Sequence, residues 1–494
     1  MVGIGISSRR AARMLRAAAI VAVCTAGFAL LSCTDAILTE MKSLATEANR
    51  PTVTPATGAT ITAHEPITFT FPRSMDPASV TLTGTLGSVT PSWSTTTLTN
   101  DTLVLNGGST PAVAWTAGTG KTLTVTVATG GNIVTFDFSW DVFQGVCVSA
   151  PDNAQKPGAP GAAGTVLHPL DKIQSGIDLA KSLYVTGGKG PAEVRVAFGT
   201  YSASCAVNPS VVSVANITKD VSLYGGYALD FSTRSPTTTV SDIIDTDTQG
   251  ITVSDTNPIR TLNCTDSTVT RATRIDGVRI TLGSSTGYHC GILCLQASPT
   301  ISNVVVQGRG YSQRGTEAFG VELQSSSALV TGCTIDPGNA DVTGQSMGIW
   351  CKGAYTPEIS VCTIFGGNSG WTYGIQVSNL CSAKITNCSI SGGIWNTGGE
   401  QGYCIYISDA APDITDNHIA DAAPGYEHTY GIYALDSLSY PSSVMRNSFD
   451  YAGWWYGEPP SPDITSLSGT WSSQLIHTTS TGNHALADFN NTHQ

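Results

Sequence analysis

Hydrophobic columns recurring along the C-terminal part of the chain restrict it to a coil of stacked short strands. One column reads Ile275, Ile301, Val330, Ile359, Ile385, Ile414 and Val444, at spacings of 26, 29, 29, 26, 29 and 30 residues. Three residues on, it reads Val278, Val304, Cys333, Cys362, Cys388, Asn417 and Asn447. Two further on, it reads Ile280, Val306, Ile335, Ile364, Ile390, Ile419 and Phe449. A second register, Ile292, Val321, Ile349, Ile375, Ile405 and Ile432, has Gly before it in five of six rows and Cys404 in the other. The unit is too short and too glycine-rich for a helical repeat. It predicts two short strands per turn and a variable loop. One unit cannot bury its inner face alone, so stacking must fill a continuous core. Seven coils at the ~4.8 Å strand spacing give a rod of roughly 30 Å.

Composition agrees. The 494 residues exceed one ordinary domain, only 12% are charged, and 52 Gly and 24 Pro punctuate β-branched runs. This is an all-β pattern.

The start of this region carries a family likeness. Pro169-Leu170-Asp171-Lys172-Ile173-Gln174-Ser175-Gly176-Ile177-Asp178-Leu179-Ala180 places Leu170, Ile173, Ile177 and Ala180 on one helical face. Glu193–Tyr201 then alternates and ends in Gly199-Thr200-Tyr201. This succession resembles the beginning of pectin-lyase-like right-handed parallel β-helix proteins. The resemblance implies a β-helix over 146–494 with an N-terminal helix capping its open sheet edge.

Alternation in Ile67–Phe71, Leu123–Val127 and Ile133–Phe138 predicts a sandwich of about seven strands over 51–145. With the Ser74-Met75-Asp76-Pro77 turn, this segment resembles bacterial Ig-like domains of surface-layer type. The resemblance implies a spacer. His64 is expected on a solvated turn.

The N-terminus reads as an export address. Arg9, Arg10, Arg13 and Arg16 precede the uncharged stretch Ala17–Leu31, too short to span a bilayer. Leu30-Leu31-Ser32-Cys33 resembles the bacterial lipobox, which implies cleavage after residue 32 and lipid attachment at Cys33. The expected address is a membrane-anchored position in the bacterial cell envelope, at the outer membrane, facing the periplasm or the outside. Residues 33–50 read as a tether; Ile37, Met41, Leu44 and Ala48 have helical spacing. Without residues 1–32 the chain has 20 bases against 36 acids. That balance argues against a nucleic-acid partner.

Stacked cysteines do not predict a metal centre, because ligands ~4.8 Å apart on a straight ladder cannot surround one ion. They read as small core fillers. Cys147 and Cys205, outside the columns, are the expected disulfide in an exported chain. Asp242, Asp245 and Asp247 lack the glycine-centred loop of a calcium site and read as a solvated turn. His418 is expected to point outward, and neither it nor His428 has an evident partner. No catalytic residue and no cofactor is assigned. The outward column Leu293, Glu322, Trp350, Gln376, Tyr406, Tyr433 contains one acid, where a glycosidase needs at least a pair.

Aromatics are the remaining signal. Trp350, Tyr406 and Tyr433 are expected on one outward face, with Trp371 and Trp395 in loops along one edge. Rings there either bind a glycan or protein or cover one another. Phe319, Met347, Tyr373, Tyr403 and Tyr430 form a separate ladder beside the glycines. Two readings follow. In the first, an envelope lipoprotein carries a non-catalytic β-helix for binding, adhesion or structure. In the second, the β-helix is a carbohydrate-active enzyme, a polysaccharide lyase or glycoside hydrolase. The missing acids favour the first.

Overall fold

The computed structural model describes residues 40, 43, 46–107, 112–153, 158–159, 162–202, 206–208, 211–244, 259–283, 288–308, 315–393, 401–420, 429–435, 441–450, 476–478 and 492–493. Cys33 and the signal segment lie outside them. So do Ile37, Met41 and Leu44; residues 46–48 are helical and Ala48 is exposed. The chain divides into two units, Met1–Phe143 and Gln144–Gln494.

The first unit is a sandwich of two four-stranded sheets. One orders Thr52–Thr54, Ile67–Thr70, Thr102–Leu105 and Pro91–Ser94; the other orders Thr60–Thr62, Asn132–Phe143, Gly118–Thr129 and Asp76–Gly84. Alternation buries Ile67, Phe69, Leu123, Val125, Val127, Phe136 and Phe138. Phe69 meets Phe138 edge-on across the sandwich at 4.9 Å. The Ser-Met-Asp-Pro turn holds Met75 in the core while Asp76 Oδ1 accepts the Ala78 N–H at 3.0 Å. His64 is 1% exposed, which corrects the expected solvated turn. The chain around it folds inward, where Asn106 Nδ2 donates to the His64 carbonyl at 3.1 Å.

Among the described residues the second unit is a coil with three faces whose sheets run through ten, ten and eleven strands, parallel except where Ala206–Asn208 meets Val211–Val212. The first face runs from Gly145–Val148 to Ser443–Met445, the second from Gly199–Ser202 to Thr492–His493, and the third from Ala206–Asn208 to Ile476–Thr478. Register pairs follow the sequence columns. Ile275 pairs with Ile301, Ile359 with Ile385, Ile364 with Ile390, and Ile349 with Ile375, all with no measurable exposure.

Each coil has three strands rather than the expected two. The first register breaks at Gly277, Asn303, Gly332, Val361, Asn387, Asp416 and Arg446, all at φ between 51° and 67°. One left-handed residue turns the chain sharply enough to separate Arg274–Asp276 from Val278–Thr281, and likewise in later coils. Just after this corner, Asn417 Nδ2 donates to the Ile385 carbonyl one coil back and Asn447 Nδ2 to that of Ile414, both at 2.9 Å. The Cys333, Cys362 and Cys388 thiols make the same reach, to Ile301, Val330 and Ile359, at 3.7 Å. They fill the core and continue the amide ladder.

The helix Ile173–Ala180 buries Ile173, Gly176, Ile177 and Ala180, with Leu170 buried just before it. It covers the first coils: a Cβ on Gly176 would lie 2.6 Å from Val148 Cγ2 and 3.1 Å from Val194 Cγ1.

Candidate functional site

The outer side of the third face concentrates the aromatic residues, and a bend in each strand causes this. Gly320, Gly348 and Gly374 face inward. A Cβ there would lie 2.3 Å from Ile335 Cγ2, 2.5 Å from Ile364 Cγ2 and 2.8 Å from Ile390 Cγ2. The glycine and the following aliphatic residue both point into the core. The side chains on either side of this pair therefore emerge together outside. The column Cys290, Phe319, Met347, Tyr373, Tyr403, Tyr430 and the column Leu293, Glu322, Trp350, Gln376, Tyr406, Tyr433 are thus joined rather than separate. Cys290, Leu293, Phe319, Met347, Tyr373 and Tyr403 are buried beneath half-exposed Tyr288, Trp350, Trp371, Tyr406, Tyr430 and Tyr433.

Ring orientation decides what this surface can offer. Tyr373 and Tyr403 stack at 5.3 Å and 8°, Tyr403 and Tyr430 at 5.1 Å and 15°, and Tyr406 and Tyr433 at 5.5 Å and 9°. These pairs are in-register neighbours on successive coils, so the rings stack along the rod axis. Their faces cover one another; Tyr373 and Tyr403 are buried, and Tyr406, Tyr430 and Tyr433 remain half-exposed. Trp350 lies against Phe319 at 5.5 Å, carries Lys352 Nζ 4.6 Å from its ring centre, and donates from Nε1 to Ser378 Oγ at 3.1 Å. Its ring is held as part of the packing. Burial pushes the phenols of Tyr373, Tyr403, Tyr430 and Tyr433 up, with neighbouring tyrosines adding to this for Tyr373, Tyr403 and Tyr433. They remain neutral donors.

Trp371 corrects the expected loop position. It opens the strand Trp371–Ser378, between Gln345 and Gln401 in register. It is half-exposed, and among the described residues no other ring stacks on it. Trp395 lies outside the described residues, as do His428, Asp245 and Asp247. Asp242 accepts from Thr281 Oγ1 at 2.8 Å, and His418 Nδ1 lies 3.1 Å from Ser448 Oγ.

Glu322, the acid of the outward column, is 1% exposed. The Tyr288 hydroxyl and Gln324 Nε2 donate to its two oxygens. Such a carboxylate orients Tyr288 rather than meeting solvent. No group of three metal-ligating side chains occurs among the described residues. Cys147 is buried in Gly145–Val148, and its expected partner Cys205 lies outside the described residues.

No curated protein matches the sequence. Among solved structures, ORF18 of Geobacillus virus E2 is similar at 10% identity and a TM-score of 0.27, over 72% of this chain and 66% of that one. The catalytic domain of a GH87 α-1,3-glucanase in complex with nigerose is similar at 10% identity and a TM-score of 0.16, over 89% and 93%. Scores this low carry no argument about fold or function. Residues 273–449 match the family model described as right handed beta helix region. They are the coils whose registers build the aromatic face, and the C-terminal unit is a right-handed parallel β-helix.

Proposed function

We propose that this protein is an exported envelope lipoprotein, anchored through Cys33, whose β-helix binds a neutral glycan along the outer side of its third face without catalysis. The observation that carries the reading is the row of uncharged hydrogen-bonding groups on the face. Tyrosines repeat at the coil spacing, with the amide of half-buried Gln345 beside them and half-exposed Trp371 at the start of its strand. A hydroxyl-rich chain lying along the rod would meet about one sugar per coil. It would take hydrogen bonds from the tyrosine edges and stack on Trp371. The negative charge of the chain as a whole opposes an acidic polysaccharide. Glu322 is engaged with both oxygens and pairs with no second acid of the outward column, which disfavours glycosidase chemistry.

The test is a glycan array followed by titration of soluble neutral polysaccharides. Each contact is worth about 1 kcal/mol, so Trp371→Ala and the double variant Tyr406→Ala/Tyr433→Ala should each weaken binding about fivefold or more with the fold intact. Weaker loss is expected from Trp350→Ala, whose ring is already covered. No array hit, with tryptophan fluorescence unchanged by any sugar, would replace glycan binding by a protein-binding or structural rod. The anchor is tested separately: Cys33→Ala should abolish palmitate labelling, and globomycin should cause precursor to accumulate. Persistent labelling of the variant would refute it.

A further inference from the structure

The first coils of the third face carry polar side chains where later coils carry rings. Val212 pairs with Ile259 and Ala215 with Leu262, so Ser213 stands beside Arg260 and Asn216 beside Asn263. Arg260 pairs onward with Cys290 and Asn263 with Leu293, which puts all four on the two outward columns that become aromatic further along. Three of their polar atoms are buried without a hydrogen-bond partner: Ser213 Oγ, Arg260 Nε and Asn263 Oδ1. Ser213 as a whole is 1% exposed. The Asn263 amide nitrogen is engaged, donating to Asn216 Oδ1 at 3.0 Å.

Arg260 is also a cation without a carboxylate. Among the described residues, the other half-buried arginines of this unit each have one. Arg195 lies 2.8 Å from Glu193, Arg271 lies 3.0 Å from Glu358, and Arg234 pairs with Asp276. Arg279, whose Nε is likewise buried and unmet, stands in register with Asp242. In the same positions Arg260 has Ser213 and Cys290. Its guanidinium carbon lies 5.8 Å from the centre of the Tyr288 ring, and the Tyr288 hydroxyl donates to Glu322. Tyr288 thus meets both the cation and that acid. A half-buried guanidinium with an unmet N–H is costly, and an anionic partner would offset the cost.

We infer that this end of the third face binds a tetrahedral oxyanion, a phosphate or sulfate group, on Arg260 and Ser213. The guanidinium offers a planar fork of N–H donors, and Ser213 Oγ donates from the preceding coil. Donors on two coils, ~4.8 Å apart, approach from different sides, which suits a tetrahedral anion better than a planar carboxylate. Asn263 Oδ1 accepts from a hydroxyl beside the anion, as on a sugar ester. A single anionic group meets this one local cation, whereas a polyanion would meet the field of the whole negative chain. The inference stands apart from the neutral-glycan reading, which concerns the aromatic coils further along.

The purified full-length protein is titrated calorimetrically with inorganic phosphate, sulfate and acetate at constant ionic strength. Saturable binding of phosphate and sulfate is expected, weakened about tenfold or more by Arg260→Gln and by Ser213→Ala, as for loss of a hydrogen bond to a charged group. Arg260→Lys keeps the charge without the fork and should bind between wild type and Arg260→Gln. Arg279→Gln, on the second face, should bind as wild type; an equal loss there would show that the effect runs through the fold and would overturn the site. A hexose phosphate identifies the source: tighter binding than phosphate assigns a sugar ester, and equal binding assigns the free ion, both on the same site. Acetate binding as tight as phosphate overturns the tetrahedral assignment. No saturable binding of phosphate or sulfate, or wild-type binding in Arg260→Gln, overturns the inference.

Discussion

Val361 holds a conformation that its side chain opposes. It occupies the corner between the first and second faces at φ 56°, where the equivalent residues are Gly277, Asn303, Gly332, Asn387, Asp416 and Arg446. An L-residue in this region sacrifices roughly 1–2 kcal/mol, and a β-branched one stands at the upper end. Little packing offsets it, since Val361 is 62% exposed. Burying a whole valine gains about 1.5 kcal/mol at the low end, so the covered third contributes about 0.5 kcal/mol. Val361→Asn should therefore stabilise the coil by about 1 kcal/mol. Its backbone N–H, which donates to the Thr386 carbonyl at 3.1 Å, is kept. Val361→Gly should gain less, because the unfolded chain becomes freer. The reverse change, Asn387→Val at φ 54°, should cost 1–2 kcal/mol or so by the same rule. Amide hydrogen exchange is the suitable assay, because a stacked coil opens locally and a global midpoint dilutes a one-corner effect. Protection at Val361, Thr363 and Ser389 should rise about fivefold in Val361→Asn and fall in Asn387→Val. Unchanged exchange in both variants would refute the corner assignment and the strain with it.

Three other outcomes follow from the packing. Ile385→Asp places a carboxylate in a column with no exposure, costing several kcal/mol; cooperative unfolding of residues 144–494 should be lost, and a normal denaturant transition would contradict the register. Asn417→Leu strands the Ile385 carbonyl and the Cys388 N–H, which Asn417 binds at 2.9 Å each. It should cost about 2–4 kcal/mol in chemical denaturation, more than Asn417→Cys, which keeps the carbonyl contact made by the other column members. In the sandwich, the Leu98, Thr96 and Thr97 N–H groups hold the Asp101 carboxyl well below its usual 3.8. A lowered folded pKa adds stability above about pH 4, and that stability is lost as pH falls through the folded value. Asp101→Asn should speed exchange of those amides at pH 7 and flatten their pH dependence below 4. An unaltered acid profile in the variant would show that the carboxylate is not the cause.

The periodic pattern alone determined which residues face the core of the β-helix. Side chains alternate along a strand and repeat along a stack, so Ile275 to Val444 and Ile292 to Ile432 could be aligned without coordinates, and every pair is in register. The helix Ile173–Ala180 was legible for the same reason, its apolar spacing matching one face. The corner that makes three faces from two was written less clearly. Gly277, Asn303, Gly332 and Asn387 signal a left-handed turn, but Val361 and Arg446 at the same position hide it. The outer surface was decided by tertiary structure. Whether two outward columns touch depends on how sharply each strand bends at its glycine, which packs against the second-face column of the next coil. Whether a ring offers its face or its edge depends on the ring one coil away, some thirty residues along the chain. Stacking along the axis thus set the tyrosines face to face, covered Trp350, and packed Trp371, read as a loop residue, against the same cluster at the start of its strand. Local sequence sets the direction of a side chain from the backbone; only the neighbouring coils set what that side chain still exposes.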